Sequence, residues 1–140
     1  MTVKRRLGVE DGYVSLELVL GLALLVLPIA LIVLTLPTWL ARQNLARLAA
    51  QQAARTAVIA ASPEQGATAA GTVAADAGLD PARDLSVAWE PGSSFARGGL
   101  VAVKVTVQSP AIAIPFLGSF GSFPLTARFS ERVDQYRSGP

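Results

Sequence analysis

The side chains that carry most enzymatic chemistry are missing from this chain of 140 residues, which has no histidine and no cysteine. Histidine is the usual general base and metal ligand near neutral pH. Without cysteine there is no disulfide, no lipid-modified thiol and no thiolate metal site. Ten carboxylates remain. Of these, Asp76, Asp80, Asp84 and Glu90 fall in turn-like stretches with no recognisable phosphate-binding loop beside them. Asp80 and Asp84, in "LDPARD", are of the type that caps and turns a chain, a reading that outranks a metal site. Composition therefore points away from an enzyme and implies no cofactor, no metal and no small-molecule substrate. One carboxylate, Glu17, is placed differently.

Glu17 stands at the lip of an apolar run, because no side chain from Leu18 to Leu36 is charged. A lone ionised carboxylate at full membrane depth costs about 2.5–3.5 kcal/mol, and less near an interface. Such a group is usually paired or functional. If the chain were cut after Gly12, the new amine on Tyr13 would lie about 6 Å from Glu17 along a helix axis. The two charges could pair within one chain or between staggered neighbours, and the carboxylate would then set an assembly register.

The elements that must position these groups follow from the pattern around them. Leu18–Leu36 as a helix is roughly 28 Å long, close to the hydrocarbon thickness of about 30 Å, so a membrane span is expected. Lys4, Arg5 and Arg6 favour a cytoplasmic N-terminus, with the remainder outside; Arg42 and Arg47 on the far flank weaken that orientation without reversing it. A secretory signal would have a shorter apolar core and a small-residue cleavage step, which "LPTWLARQ" does not provide. A twin-arginine signal is opposed by Glu10 and Asp11, which follow Arg5 and Arg6 where hydrophobics should begin. A plain single-pass anchor explains the length and leaves Glu17 without a role. Pro28 and Pro37 remove helical donors and are expected to kink the span. Trp39 suits the outer interface. Outside the N-terminal tail there is no basic run interleaved with aromatics, so no nucleic-acid partner is expected.

Past Trp39 the helical pattern continues, with Ala41, Leu45, Leu48, Gln52 and Ile59 on one side and many alanines supplying helix propensity. One nearly continuous helix from about Tyr13 to Ala61 is expected, too long to bury itself on so small a domain. "SPEQ" (62–65) restarts the chain: Ser62 can cap a second helix, Pro63 suits its first position and Glu64 its positive end. Gly78 is the natural terminator. From Leu85 the period becomes two, giving strands around 85–89, 101–108 and 125–130. The loop "EPGSSFARGG" joins the first two. "SPAIAIPFLGSFGSF" (109–123) reads as too irregular for a strand, either a sticky exposed loop or a cover packed over the sheet edge.

These residues resemble a known family. "G-Y-V-S-L-E", in which Gly12 is followed by four residues and then Glu17, looks like the prepilin peptidase site of type IV pilin-like proteins, with Lys4, Arg5 and Arg6 as the short basic leader. The closer likeness is to the TadE-like pseudopilins of tight-adherence (Flp) pilus systems, strong over residues 8–60 and looser over 61–137. "RQNLARLAAQQAARTAV" and the final "FPLTARFSERV" are similar to stretches of that family. Leu18 stands where major Flp pilins carry tyrosine, and a sizeable outer region follows, which favours a minor subunit.

The resemblance implies an α+β, pilin-like fold: a long kinked N-terminal transmembrane helix, a short second helix and a small three-stranded antiparallel sheet. Its divisions are a cleaved cytoplasmic leader (1–12), a transmembrane and assembly helix (13–61) and a small extracytoplasmic domain (62–140). It implies Gly12 and Tyr13 as processing site, and Tyr13 and Glu17 as assembly residues. The implied partners are the membrane, prepilin peptidase, other pilin subunits and the pilus assembly platform. The implied location is the inner membrane as a single-pass protein, and the extracellular pilus after assembly. The competing reading is an unprocessed, membrane-anchored extracytoplasmic binding module, indifferent to Glu17.

Overall fold

A computed structural model describes residues 10–136. Helix α1 (Glu10–Ala60) is followed by α2 (Pro63–Asp76), the single turn α3 (Pro81–Asp84) and strands β1 (Leu85–Trp89), β2 (Leu100–Ile114) and β3 (Gly118–Arg132). The strands form one antiparallel sheet in the order β1-β2-β3. The chain is thus α+β, with a long N-terminal helix, a short one and a small sheet. Lys4, Arg5 and Arg6 lie outside the described residues.

Alpha1 has 51 residues and extends for about 76 Å. Both Pro28 and Pro37 lie inside it, and the helix is continuous past each. Its end is a six-to-one turn: Ser62 N–H donates to the Ala57 carbonyl at 3.2 Å, across Ala61 at a φ of +50°. Ser62 then opens α2, its hydroxyl oxygen accepting from Gln65 N–H at 3.4 Å and donating to Glu64 Oε2 at 2.7 Å. Alpha2 closes on Gly78, at a φ of +77°, with Leu79 N–H donating to Ala74 O at 3.0 Å and Gly78 N–H to Ala75 O at 2.9 Å. Local capping chemistry is sufficient for both boundaries, which is why they are readable from residue types alone.

The core lies against the C-terminal half of α1. Ala46, Ala49, Ala50, Ala53, Ala54 and Ala57 are fully buried and follow one another at helical spacing. The first five cluster with Ala70 and Ala74 of α2 and Val103, Val105, Val107 and Ala127 of the sheet, and Ala57 meets Gly66 of α2. This corrects the expected stripe: Leu45 packs against the core, whereas Leu48 and Ile59 are 53 % and 61 % exposed. The cause is separation between elements. At Gly66 of α2 an added Cβ would come within 2.6 Å of the Ala53 carbonyl oxygen and 2.7 Å of the Ala57 Cβ. Elements that close can only meet across the smallest side chains, so the alanines win the inner face and the leucines are left outside.

The second correction concerns 109–123. Beta2 does not stop at Gln108, and β3 begins at Gly118, with Ser109 opposite Phe123, Ile112 opposite Phe120 and Ile114 opposite Gly118. The segment is an ordered hairpin arm that outruns β1, whose pairing ends at Leu85 opposite Val107. Pro110 is tolerated because α1, and not a fourth strand, lies along that edge.

Candidate functional site

The residues singled out by sequence fall at both ends of α1. Gly12 lies in its first turns, and Tyr13 and Glu17 are exposed, one helical turn apart on the same face. Glu17 borders a shallow apolar groove with Leu18, Gly21, Leu22 and Leu25. Gly21 leaves open space where a side chain would otherwise cover the carboxylate's flank. Among the described residues no ion pair engages Glu17. From Val14 through Leu34 every large apolar side chain but the half-buried Leu31 stands exposed, so the other described residues cover little of this segment. Alpha1 is long and apolar enough to cross a membrane.

The other carboxylates have local work. Asp80 Oδ1 accepts from Ala82 N–H at 3.0 Å and so caps α3, while Asp84 Oδ2 accepts from Asp80 N–H at 3.2 Å. Glu90 meets Arg128 at 3.2 Å on the sheet surface; an exposed pair of this kind contributes about 0–1 kcal/mol. Asp76 is exposed at the end of α2. Hydrogen bonding from the Ser62 hydroxyl, aided by a backbone bond at Glu64 itself, lowers the Glu64 carboxyl below its ordinary value.

Where α1 leaves its bare half, the hairpin arm docks on it. Trp39 Nε1–H donates to the Pro110 carbonyl at 2.9 Å, and its ring meets Phe123 edge-on at 5.8 Å. One turn earlier, Thr35 Oγ1 donates to Leu31 O at 2.7 Å and accepts from Ala113 N–H at 3.3 Å. Thr35, at 1 % exposure, shares with Ser109 of the arm the deepest burial of any polar side chain among the described residues, although it sits within the apolar run. An apolar hollow of about 210 Å³ remains between Pro28, Ile32 and Ile112. Sequence reading placed Trp39 at an interface and missed Thr35. The available signal was a lone hydroxyl in an apolar run, one turn before a tryptophan.

Compared with protein-family models, curated proteins and solved structures, the chain matches none of them.

Proposed function

We propose that this chain is a pilin-like structural subunit, processed after Gly12 and assembled through α1 into, or as the primer of, a type IV filament of the tight-adherence kind. The observation that carries the reading is the bare half of α1: a long apolar stretch that the other described residues leave largely uncovered, with Glu17 at the lip of its charge-free run. A helix apolar on all sides needs lipid or sister helices around it. Sister helices can move it from one to the other without changing its surface. In this scheme the N-terminus is cytoplasmic, the sheet domain is outside the inner membrane, and prepilin peptidase and the assembly platform are the partners. Glu17 and the Tyr13 amine fix the stagger between neighbours.

Intact mass and N-terminal sequencing of the protein from its native membrane test the first step. A start at Tyr13 is expected. A start at Met1 in cells with active prepilin peptidase would replace this reading with the unprocessed, anchored binding module. The second step has its own test: Glu17→Ala should insert in the membrane normally but fall at least tenfold in filament incorporation, measured by immunoblot of sheared filaments. Normal incorporation would remove the register role from Glu17.

A further inference from the structure

The arm formed by 109–123 carries an aromatic where a turn would ordinarily carry glycine. Leu117 N–H donates to Ile114 O at 3.2 Å, with Pro115 second in the turn and Phe116 third, at a φ of +69°. A left-handed conformation is costly for a bulky residue. Here it accompanies a ring that the other described residues leave fully exposed: Phe116 is 107 % exposed and Leu117 73 %. A strained backbone that displays a large apolar side chain is an observation that asks for a function.

Three further features say what covers the tip. First, the contacts of the arm descend α1 in order, Pro110 on Trp39 and then Ala113 on Thr35. The strand therefore runs toward the N-terminal, apolar part of the helix, alongside the segment fit to cross a membrane. Second, the charge-free zones of the two elements coincide. Alpha1 has no charged residue between Glu17 and Arg42, and the hairpin none between Lys104 and Arg128, which stand opposite each other in the sheet. Third, the surface changes at that level. A polar crevice lined by Arg42, Arg83, Gln108, Ser119 and Ser122 gives the base of the arm and its β3 side access to water. On the β2 side, Trp39 and Thr35 occupy the backbone groups of Pro110 and Ala113, as a strand edge near lipid requires.

We propose that the β2–β3 turn inserts Phe116 and Leu117 into the acyl chains of the leaflet on the sheet domain's side, so that the domain holds the membrane helix at a fixed depth and rotation. Depth agrees with this assignment. Thr35 lies about 6 Å below Trp39 along the helix, and a strand running on from Ala113 to Phe116 adds up to about 10 Å. With Trp39 at the interface, the tip reaches at most about the middle of a core about 30 Å thick. The proposal rests on α1 crossing a membrane, and not on cleavage at Gly12 or on filament assembly.

A chain without cysteine allows single nitroxide labels, and the full chain in phosphatidylcholine–phosphatidylglycerol vesicles is the sample. Collision of the label with oxygen, which concentrates in lipid, is compared with collision with a water-soluble nickel chelate at Phe116→Cys, Leu117→Cys, Leu25→Cys in the span and Ser94→Cys in the loop before β2. The oxygen-to-nickel ratio at 116 and 117 is expected to approach that at 25 and to exceed that at 94 several-fold. Ratios at 116 and 117 equal to that at 94, with 25 in lipid, would overturn the insertion. Shielding of 116 and 117 from both collision partners would overturn it in favour of a second protein copy as the cover. Water access at 25 would remove the span itself, and the proposal with it.

Discussion

The two halves of α1 are one continuous helix, yet they dispose of apolar side chains in opposite ways. In the C-terminal half the buried face is alanine, pressed against α2 and the valines of β2, and the larger Leu48 and Ile59 point away. In the N-terminal half leucine, isoleucine and valine cover every side, and little but Thr35 is buried. Side-chain hydrophobicity does not rank burial here; the distance at which a partner element sits does. A partner inside the chain comes close and selects small residues. Large side chains are kept on the segment that is long and apolar enough to cross a membrane, where few of the described residues come near. The arm at Thr35 and Trp39 is the seam between the two regimes, since there the sheet reaches into the bare half.

The comparison breaks most visibly by exchanging size between the halves. Ala53→Leu places three extra carbons at a fully buried position beside Gly66. It should lose about 3 kcal/mol, since overpacking a tight core costs about 1–3 kcal/mol and occasionally more. Leu25→Ala in the bare half should change the sheet domain's stability by less than about 0.5 kcal/mol. Thermal unfolding of the full chain in detergent micelles, followed by near-ultraviolet circular dichroism, measures both. Equal losses at the two sites would remove the distinction between the halves.

At the seam, Trp39→Phe keeps a ring against Phe123 and deletes the donor to Pro110. About 1 kcal/mol should be lost, read as roughly fivefold faster deuterium exchange at the backbone N–H groups of 111–114 and 116–122. Exchange in β1, which does not touch the seam, should stay unchanged. Where α1 ends, Ala61 holds a φ of +50°. Ala61→Gly relieves a left-handed alanine at about 1–2 kcal/mol, offset by glycine's entropy of about 0.5–1 kcal/mol. A net gain of about 0.5 kcal/mol is expected in the same melts.

The smallest effect is the pH dependence set at the start of α2. The Glu64 carboxyl is lowered by the Ser62 hydroxyl and a backbone hydrogen bond. Because its folded value lies below its unfolded one, the carboxylate's contribution is fully present above the ordinary carboxylate range and is lost as pH falls through the lowered value. Ser62→Ala should flatten that acid-side slope slightly in melts taken between neutral and acid pH. It should also lose about 1 kcal/mol through the missing cap at all pH values.

What could be read from residue types was whatever local chemistry settles. Ser62 with Pro63, Gly78, Asp80 and the valine alternation at 101–107 each specify a boundary or a face within a few residues, and each is found where those types put it. The apolar run after Glu17 likewise declares its length without reference to anything else. Two things were settled only when elements met. The inner face of α1 went to alanine because α2 and the sheet approach too closely for leucine. The 109–123 segment became strand because Thr35 and Trp39, more than 70 residues earlier, bond its free edge. Periodicity reports hydrophobicity along one element; it carries no information on how near the next element will stand or which helix will take a strand's unpaired side, and those distances are properties of the assembled fold.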